Sequence, residues 1–275
     1  MLHYLLFDPV MGKSGKLDAV IRALNDGTPS ADAMRQAYGD FEPIEGAYMQ
    51  HVRKELMPYV RLKTETKVVA SAFSSRALTD PESANARASL HSAMGRPAEA
   101  RALIAEARKT GEAAAGYEVE AMLADRDDNA AALKAALTKA EQLGTTNFYA
   151  LYRLALLDLP QSPDAAASAV AEARLRKAVE LNPFHASAHA MLGNVLANGP
   201  AEKRAQAIPA AQAAVKLAPG DAFANRVLAL ALWNVGQRDA ALARARLSLT
   251  LADNDGQRRQ SQQLLDFFAK NAAAR

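Results

Sequence analysis

The sequence predicts an all-α fold built from stacked helix pairs, and three observations support this. Half of the 275 residues are apolar, yet only 6% are aromatic and many are alanine, which suits closely packed helices with thin cores. Apolar residues recur at helical spacing in most segments. A pattern of glycine, small residue and apolar residues also returns along the second half of the chain at a nearly constant period, which indicates internal repeats.

The first 60 residues predict a short helical subdomain. The segment LDAVIRALNDG (17–27) places apolar residues at 17, 20, 21 and 24 before a glycine, as in an amphipathic helix with a C-terminal stop. IEGAYMQHVRKEL (44–56) predicts a further helix that Pro58 ends. Residues 61–80 begin with RLKTETKVVASAF, which lacks a clear helical period, and we predict a linker there.

The hexapeptide MGKSGK (11–16) resembles the end of a phosphate-binding loop but lacks its context. The pattern G-x-x-x-x-G-K-[ST] requires a glycine five residues before Gly12, where the chain has Phe7. No strand pattern precedes it either, so the backbone N–H cradle for a phosphate cannot form. We therefore predict a solvated turn between two helices.

The repeat is visible in two segments far apart in the chain. GRPAEARALIAEA (95–107) and GQRDAALARARLSL (236–249) both begin with glycine and carry a small residue five positions later, Ala100 and Ala241. Their glycines are 141 residues apart, which is four periods of 34 plus five inserted residues. Pro183 and Pro219 end equivalent helices 36 residues apart.

Small and apolar residues fall on the positions at which the helices of each pair should touch. In HAMLGNVL (189–196), Leu192 and Gly193 form a large–small pair that lets a neighbouring helix come close. The equivalent packing positions of two second helices are Ala171, Leu175 and Ala178, and Ala207, Ala211 and Ala214. Pro209 lies within the second of these helices and is expected to kink it.

These features resemble the tetratricopeptide repeat (TPR) family over about 81–253, in roughly five units. The resemblance implies a right-handed superhelix of helix pairs, whose first helices line a concave groove that holds partner peptides. The predicted partner-binding residues are Asn194, Asn198, Phe223, Arg226, Leu230, Trp233 and Asn234. The matching positions of the fourth unit also include Ser187, Ala190 and Ala197.

Two features of the groove remain open at this stage. TPR domains that bind chaperone tails clamp a carboxylate with a lysine four residues before an asparagine, but Ala190 stands four residues before Asn194, so that clamp is incomplete. Phe223, Leu230 and Trp233 either face the groove, as exposed apolar stripes usually do, or lie buried under the last helix. That helix is predicted within residues 254–275, where Leu264, Leu265, Phe267 and Phe268 would cover the last repeat.

The first 60 residues carry a second resemblance. They contain, in this order, an HYLL helix, a turn with lysine and glycine, a helix ending in N-D-G, a helix ending in A-Y-G, and a helix with Y-x-x-H-V. This order resembles the end of the helical subdomain in bacterial gluzincin-type metallopeptidase-like proteins, many with a domain of unknown function followed by TPR units. In that family the zinc-binding H-E-x-x-H helix and a downstream glutamate lie upstream of the matching segment.

Several functional classes are disfavoured by composition. The net charge is +3, and no basic run is longer than Arg258-Arg259, so we predict no nucleic-acid partner. No stretch reaches the ~20 apolar residues of a membrane span. Without cysteine there are no disulfides, thiolate metal sites or cysteine nucleophiles. The segment HASAH (185–189) has the spacing of a zinc motif, but Ala186 replaces the glutamate base and no third ligand is evident, so we predict no metal and no other cofactor.

The predicted function is non-catalytic protein interaction through the repeat groove. The alternative is that the chain is the C-terminal part of a zinc metallopeptidase whose catalytic domain lies upstream of Met1. We expect the upstream reading frame to continue, because the first helix lacks an N-cap and its apolar face needs a missing domain or a second copy to pack on. Localisation is cytoplasmic if Met1 is the true start, and periplasmic or secreted if a signal precedes it.

Overall fold

The computed structural model describes residues 2–40, 42–54, 76–159 and 165–272. These residues form fifteen α-helices, one 3-10 helix and no strand, which confirms the all-α prediction. They form two compact units. We call the described residues between 70 and 207 the central unit, and those before 70 together with those from 208 onward the terminal unit. The predicted division at residues 60 and 80 differs from this grouping and stays a prediction; residues 55–75 of the expected linker lie outside the described residues.

From residue 80 onward the helices alternate along the chain as first and second helices, and α15 follows the last of them. The first three pairs are α5 (Asp80–Ala93) with α6 (Pro97–Arg108), α7 (Ala114–Arg126) with α8 (Ala130–Gln142), and α9 (Phe148–Asp158) with α10 (Ala165–Leu181). The remaining helices are α11 (Ala186–Ala197), α12 (Ala207–Leu217), α13 (Ala222–Asn234), α14 (Arg238–Leu251) and α15 (Asp255–Ala272). Within the units, α5 packs on α6, α7 on α8, α9 on α10 and α13 on α14.

Small residues make this packing close. The positions predicted to touch are all fully buried: Ala171, Leu175 and Ala178 in α10, and Ala207, Ala211 and Ala214 in α12. Side chains three and four residues apart lie on one face of a helix, so the spacing of alanines in the sequence translates directly into a contact surface. The kink predicted at Pro209 stays a prediction, but its position in the helix makes a kink less expected. A 3-10 helix (Ala201–Gln206) precedes α12, so Pro209 is the third residue of α12. In the first turn of an α-helix a missing N–H removes no hydrogen bond of that helix.

The N-terminal part of the terminal unit contains α1 (Leu2–Phe7), α2 (Lys16–Asn25), α3 (Ser30–Tyr38) and α4 (Glu42–Val52). MGKSGK forms the turn between α1 and α2, as predicted. The Asp8 carboxylate accepts hydrogen bonds from the backbone N–H groups of Val10 and Met11 at its start. A Cβ on Gly12 would lie 2.2 Å from the Leu6 carbonyl oxygen, so the turn requires glycine there. None of the helices that the structure describes is long and apolar enough to cross a lipid bilayer.

Two histidines join α1 to α4. His51 is only 2% exposed, and its Nε2 lies 2.9 Å from His3 Nδ1, so one ring must donate and the other accept. Burial lowers the pKa of His51, and the nearby Lys54 and His3 lower it further. The neutral form of His51 is therefore the one that the folded chain favours.

The His3–His51 pair predicts that the folded chain loses stability in mild acid. A histidine whose pKa is lower in the folded than in the unfolded chain contributes its full stability above about pH 6.5, and the contribution declines as the pH falls below that value. We expect the melting temperature to drop between about pH 7.5 and about pH 5.5, and the drop to be smaller for His51→Gln. Thermal unfolding of both proteins across this range measures the effect. An identical pH dependence for His51→Gln and the wild type would exclude His51 as a source.

Candidate partner-binding surface

Helix α13 leaves one narrow stripe of its surface open. All of its residues are buried except Phe223, Arg226, Leu230 and Asn234, which are partly exposed. Their spacing of three, four and four residues keeps them on one helix face. These are four of the five residues that the sequence predicted for partner binding on this helix.

Arg226 is the unusual member of this stripe. Its guanidinium lies over the Phe223 ring, with Cζ 5.2 Å from the ring centroid. The Nη1 atom is buried and has no hydrogen-bond acceptor among the described residues. Burial lowers the pKa of the Arg226 guanidinium, and the charge of Asp221 offsets only part of this. A buried donor without an acceptor is costly, so an acceptor supplied from outside would be bound favourably.

Trp233, the fifth predicted residue of α13, belongs to the core. It is 5% exposed and stacks on the fully buried Phe268 of α15, with the ring centroids 4.1 Å apart and the planes 6° apart. The Arg238 guanidinium also lies on the indole, 3.7 Å from its centroid. Of the two alternatives for Trp233, burial under the last helix is the one the structure shows, whereas Phe223 and Leu230 stay partly exposed.

Helix α11 of the central unit carries the other predicted residues. The Asn198 side chain, at the end of the helix, donates hydrogen bonds to the Asn194 carbonyl oxygen and to Asn194 Oδ1 at 2.8 and 3.1 Å. Asn194 is partly exposed and Asn198 is exposed, while Ala190 and Ala197 are buried. The lysine position of the carboxylate clamp is therefore a buried alanine.

The two histidines of HASAH face different partners. His185 caps α11, with Nδ1 accepting from the Ala188 N–H at 3.1 Å, and burial lowers its pKa. His189 Nε2 donates to the Pro183 carbonyl oxygen at 3.0 Å, which commits that nitrogen to its proton. Within the described part of the chain, no group of three His, Cys, Asp or Glu residues is arranged to hold a metal ion.

A surface on the second and third repeats was not predicted from the sequence. Met122 of α7 and Tyr149 of α9 are 45% and 47% exposed and line a cavity of about 180 Å³ between the two helices. The His185 ring approaches Phe148 and Tyr152 of α9, with centroids 5.0 and 4.9 Å apart. The one available signal was NFYALY (147–152), which gathers three aromatic residues in a chain with few.

Comparison with known proteins identifies the fold. No protein-family model matches the sequence, and no curated protein does. The solved structure of YrrB, a TPR protein with an unusual peptide-binding site, is 20% identical over 66% of this chain and 90% of its own, with a TM-score of 0.52. MamA (41–end) from Desulfovibrio magneticus RS-1 is 21% identical over 59% of this chain and 87% of its own, with a TM-score of 0.46. TTC0263, a thermophilic TPR protein from Thermus thermophilus, is 19% identical over 67% of this chain and 98% of its own, with a TM-score of 0.42.

Of these three structures, YrrB is similar enough to support an assignment, and its similarity concerns the fold alone. None of these matches bears on the resemblance of residues 1–60 to metallopeptidase-like proteins, which stays a prediction. The helix pairs, their alanine-rich contacts and the match to YrrB together show that this chain has the tetratricopeptide-repeat fold.

Proposed function

We propose that this chain is a non-catalytic scaffold that binds protein or peptide partners along the open faces of its first helices. The observation that carries the proposal is the stripe of α13, in which a buried guanidinium nitrogen finds no acceptor among the described residues and lies beside a partly exposed phenylalanine. Folded chains rarely leave buried donors unpaired unless a ligand completes them. The peptide-binding site of YrrB, a protein of the same fold, is consistent with this use of the surface.

The proposed contact residues lie on α13 and on α11, and each helix offers its own contact surface. On α13 they are Phe223, Arg226, Leu230 and Asn234, with Arg226 bonding a carboxylate or a backbone carbonyl of the partner. On α11 they are Asn194 and Asn198, whose amides suit the backbone of an extended peptide. Trp233 lies in the core beneath the α13 stripe and is not a proposed contact residue. We propose no nucleic-acid partner, because the charges are interspersed along the chain.

Substitution of Arg226 tests the proposal. Peptides are selected from a phage-displayed random library on the immobilised full chain, and their affinities are measured by fluorescence anisotropy. Removing a charged hydrogen bond costs about 1–3 kcal/mol, so Arg226→Ala should weaken binding about fivefold to a hundredfold. Because Nη1 has no acceptor within the described part of the chain, we expect the loss of its hydrogen-bonding group to cost little stability.

The matched control is Arg246→Ala, which removes an exposed arginine from α14. It should leave both affinity and stability unchanged. If Arg226→Ala and Arg246→Ala bind every selected peptide as tightly as the wild type does, the assignment of the α13 stripe is wrong.

The second candidate function is that of the C-terminal part of a zinc metallopeptidase. It rests on the resemblance of residues 1–60 and on four exposed apolar side chains of the N-terminal segment: Leu6, Met49 and Val52 in helices and Val10 in the turn after α1. An H-E-x-x-H motif and a downstream glutamate in the reading frame upstream of Met1 would support it. If an in-frame stop precedes Met1 instead, we expect the exposed apolar residues to form a dimer contact, which sedimentation measurements on Val10→Ser would detect.

A further inference from the structure

The cavity between α7 and α9 has the dimensions and lining of a side-chain pocket. Its floor consists of Leu133 and Leu137 of α8 with the buried Ala121 and Ala150. Met122 and Tyr149 stand half exposed at its edge, so the cavity opens to solvent. A protein cavity of about 150 Å³ is large enough to hold benzene. The volume of about 180 Å³ therefore fits one long or aromatic side chain.

The polar groups of the cavity leave one negative charge without a counter-ion. Asp125 forms an ion pair with Arg153. Glu118, seven residues earlier and thus two turns away on the same helix, accepts hydrogen bonds from the Thr145 hydroxyl and from Asn147 Nδ2. Both partners are neutral, and no basic side chain among the described residues pairs with Glu118. The lining therefore has a net charge of about −1, because Arg153 offsets only one of the two carboxylates.

Glu118 is also held in position by the start of the neighbouring helix. The Asn147 side chain caps α9, with Oδ1 accepting from the Tyr149 N–H at 3.0 Å, while its Nδ2 donates to Glu118 at 3.0 Å. The residue that begins α9 thus fixes both the Glu118 carboxylate and the backbone of Tyr149. A site with its charged group fixed beforehand loses less entropy when it binds a ligand.

We propose that this cavity receives an arginine or lysine side chain of the partner peptide. This inference rests on the proposed peptide-binding function and names the class of residue that this part of the surface recognises. The apolar floor accommodates the methylene stem of a long basic side chain. The Glu118 carboxylate pairs with its cationic head, and the exposed Tyr149 ring offers a cation–π contact. Arginine is favoured over lysine, since its planar guanidinium can pair and stack together.

The experiment uses the phage-selected peptides and the full chain. We expect one position of the selected sequences to be enriched in arginine or lysine, and replacing that residue by alanine to weaken binding. Glu118→Gln keeps the size of the side chain and one acceptor oxygen but removes the charge, and should weaken binding about tenfold or more. Glu106→Gln, the same change on the exposed face of α6, is the control and should leave binding unchanged.

Tyr149→Leu is a second test that keeps the apolar volume and removes the π face. It should weaken the binding of peptides that contain the basic residue and leave the binding of their alanine-substituted forms unchanged. Enrichment of an apolar residue, with affinities insensitive to Glu118→Gln, would overturn the basic-residue assignment while the peptide-binding function stands. If no peptide is enriched on the wild-type chain, the proposed function fails, and this inference fails with it.

Discussion

Replacing Trp233 by alanine is expected to lower the free energy of unfolding by about 3–5 kcal/mol, because it removes a large buried side chain and leaves a cavity. The indole stacks on Phe268 and is the main aromatic contact between α13 and α15. A second contact holds the same helix: Ser248 donates to the Ala222 carbonyl oxygen and lies 2.7 Å from the buried Ser261 hydroxyl of α15. The last helix thus covers the fifth repeat by both apolar and polar contacts.

Urea unfolding of Trp233→Ala and of the control Phe267→Ala measures this effect. Phe267 is adjacent to Phe268 but 48% exposed, so its loss should cost about 1 kcal/mol. The more conservative Trp233→Phe should fall between the two. Equal, small effects of the two alanine variants would show that α15 is not packed on α13 in solution.

Replacing Arg174 by alanine is expected to destabilise the central unit by about 2–3 kcal/mol, because it leaves the partly buried Glu141 carboxylate without its counter-ion, whereas Asp158 keeps its ion pair with Lys134. The Arg174 side chain is 12% exposed and makes a two-pronged bond to Glu141 of α8, at 2.7 and 2.8 Å. It also pairs with Asp158 of α9. Arg174 therefore connects the second repeat, through α8, with α9 of the third repeat.

The comparison for Arg174→Ala is Lys177→Ala on the same helix. Lys177 pairs with Glu180 three residues away, and both side chains are largely exposed. Exposed pairs of this kind contribute about 0–1 kcal/mol. Chemical unfolding of the two variants should therefore give clearly different midpoints. Similar midpoints would mean that the Arg174 bonds do not form in solution.

Features that depend on helical periodicity could be predicted from the sequence. The alanines of α10 and α12 are buried as expected, since a residue's face on a helix follows from its position alone. For the same reason, the open stripe of α13 contains Phe223, Arg226, Leu230 and Asn234. The register of the repeat was enough to select these residues.

Features that depend on a neighbouring element could not be predicted in this way. Trp233 is covered by α15, whose docking position is not encoded in the local sequence of α13. Pro209 was expected within a second helix and lies in the first turn of α12, because the backbone changes from 3-10 to α geometry at Ala207, a change that the local sequence does not signal. The cavity beside Tyr149 exists only because α7, α8 and α9 meet there.

The histidines likewise have roles that depend on neighbouring elements and could not be predicted from local sequence. His185, which entered the sequence analysis only as a possible metal ligand of HASAH, is the N-cap of α11, with its ring Nδ1 as the capping acceptor. The pairing of His3 with His51 joins two helices 48 positions apart, and a single sequence contains no signal of it.

The most direct test of the central claim is site-specific photo-crosslinking to a selected peptide. A benzophenone amino acid is placed at Met122 or Leu230 on first helices, and at the exposed Ala131 or Ala243 on second helices. If partners bind along the first helices, the peptide should crosslink at Met122 or Leu230 and not at Ala131 or Ala243. Crosslinking confined to the second-helix positions would contradict the account.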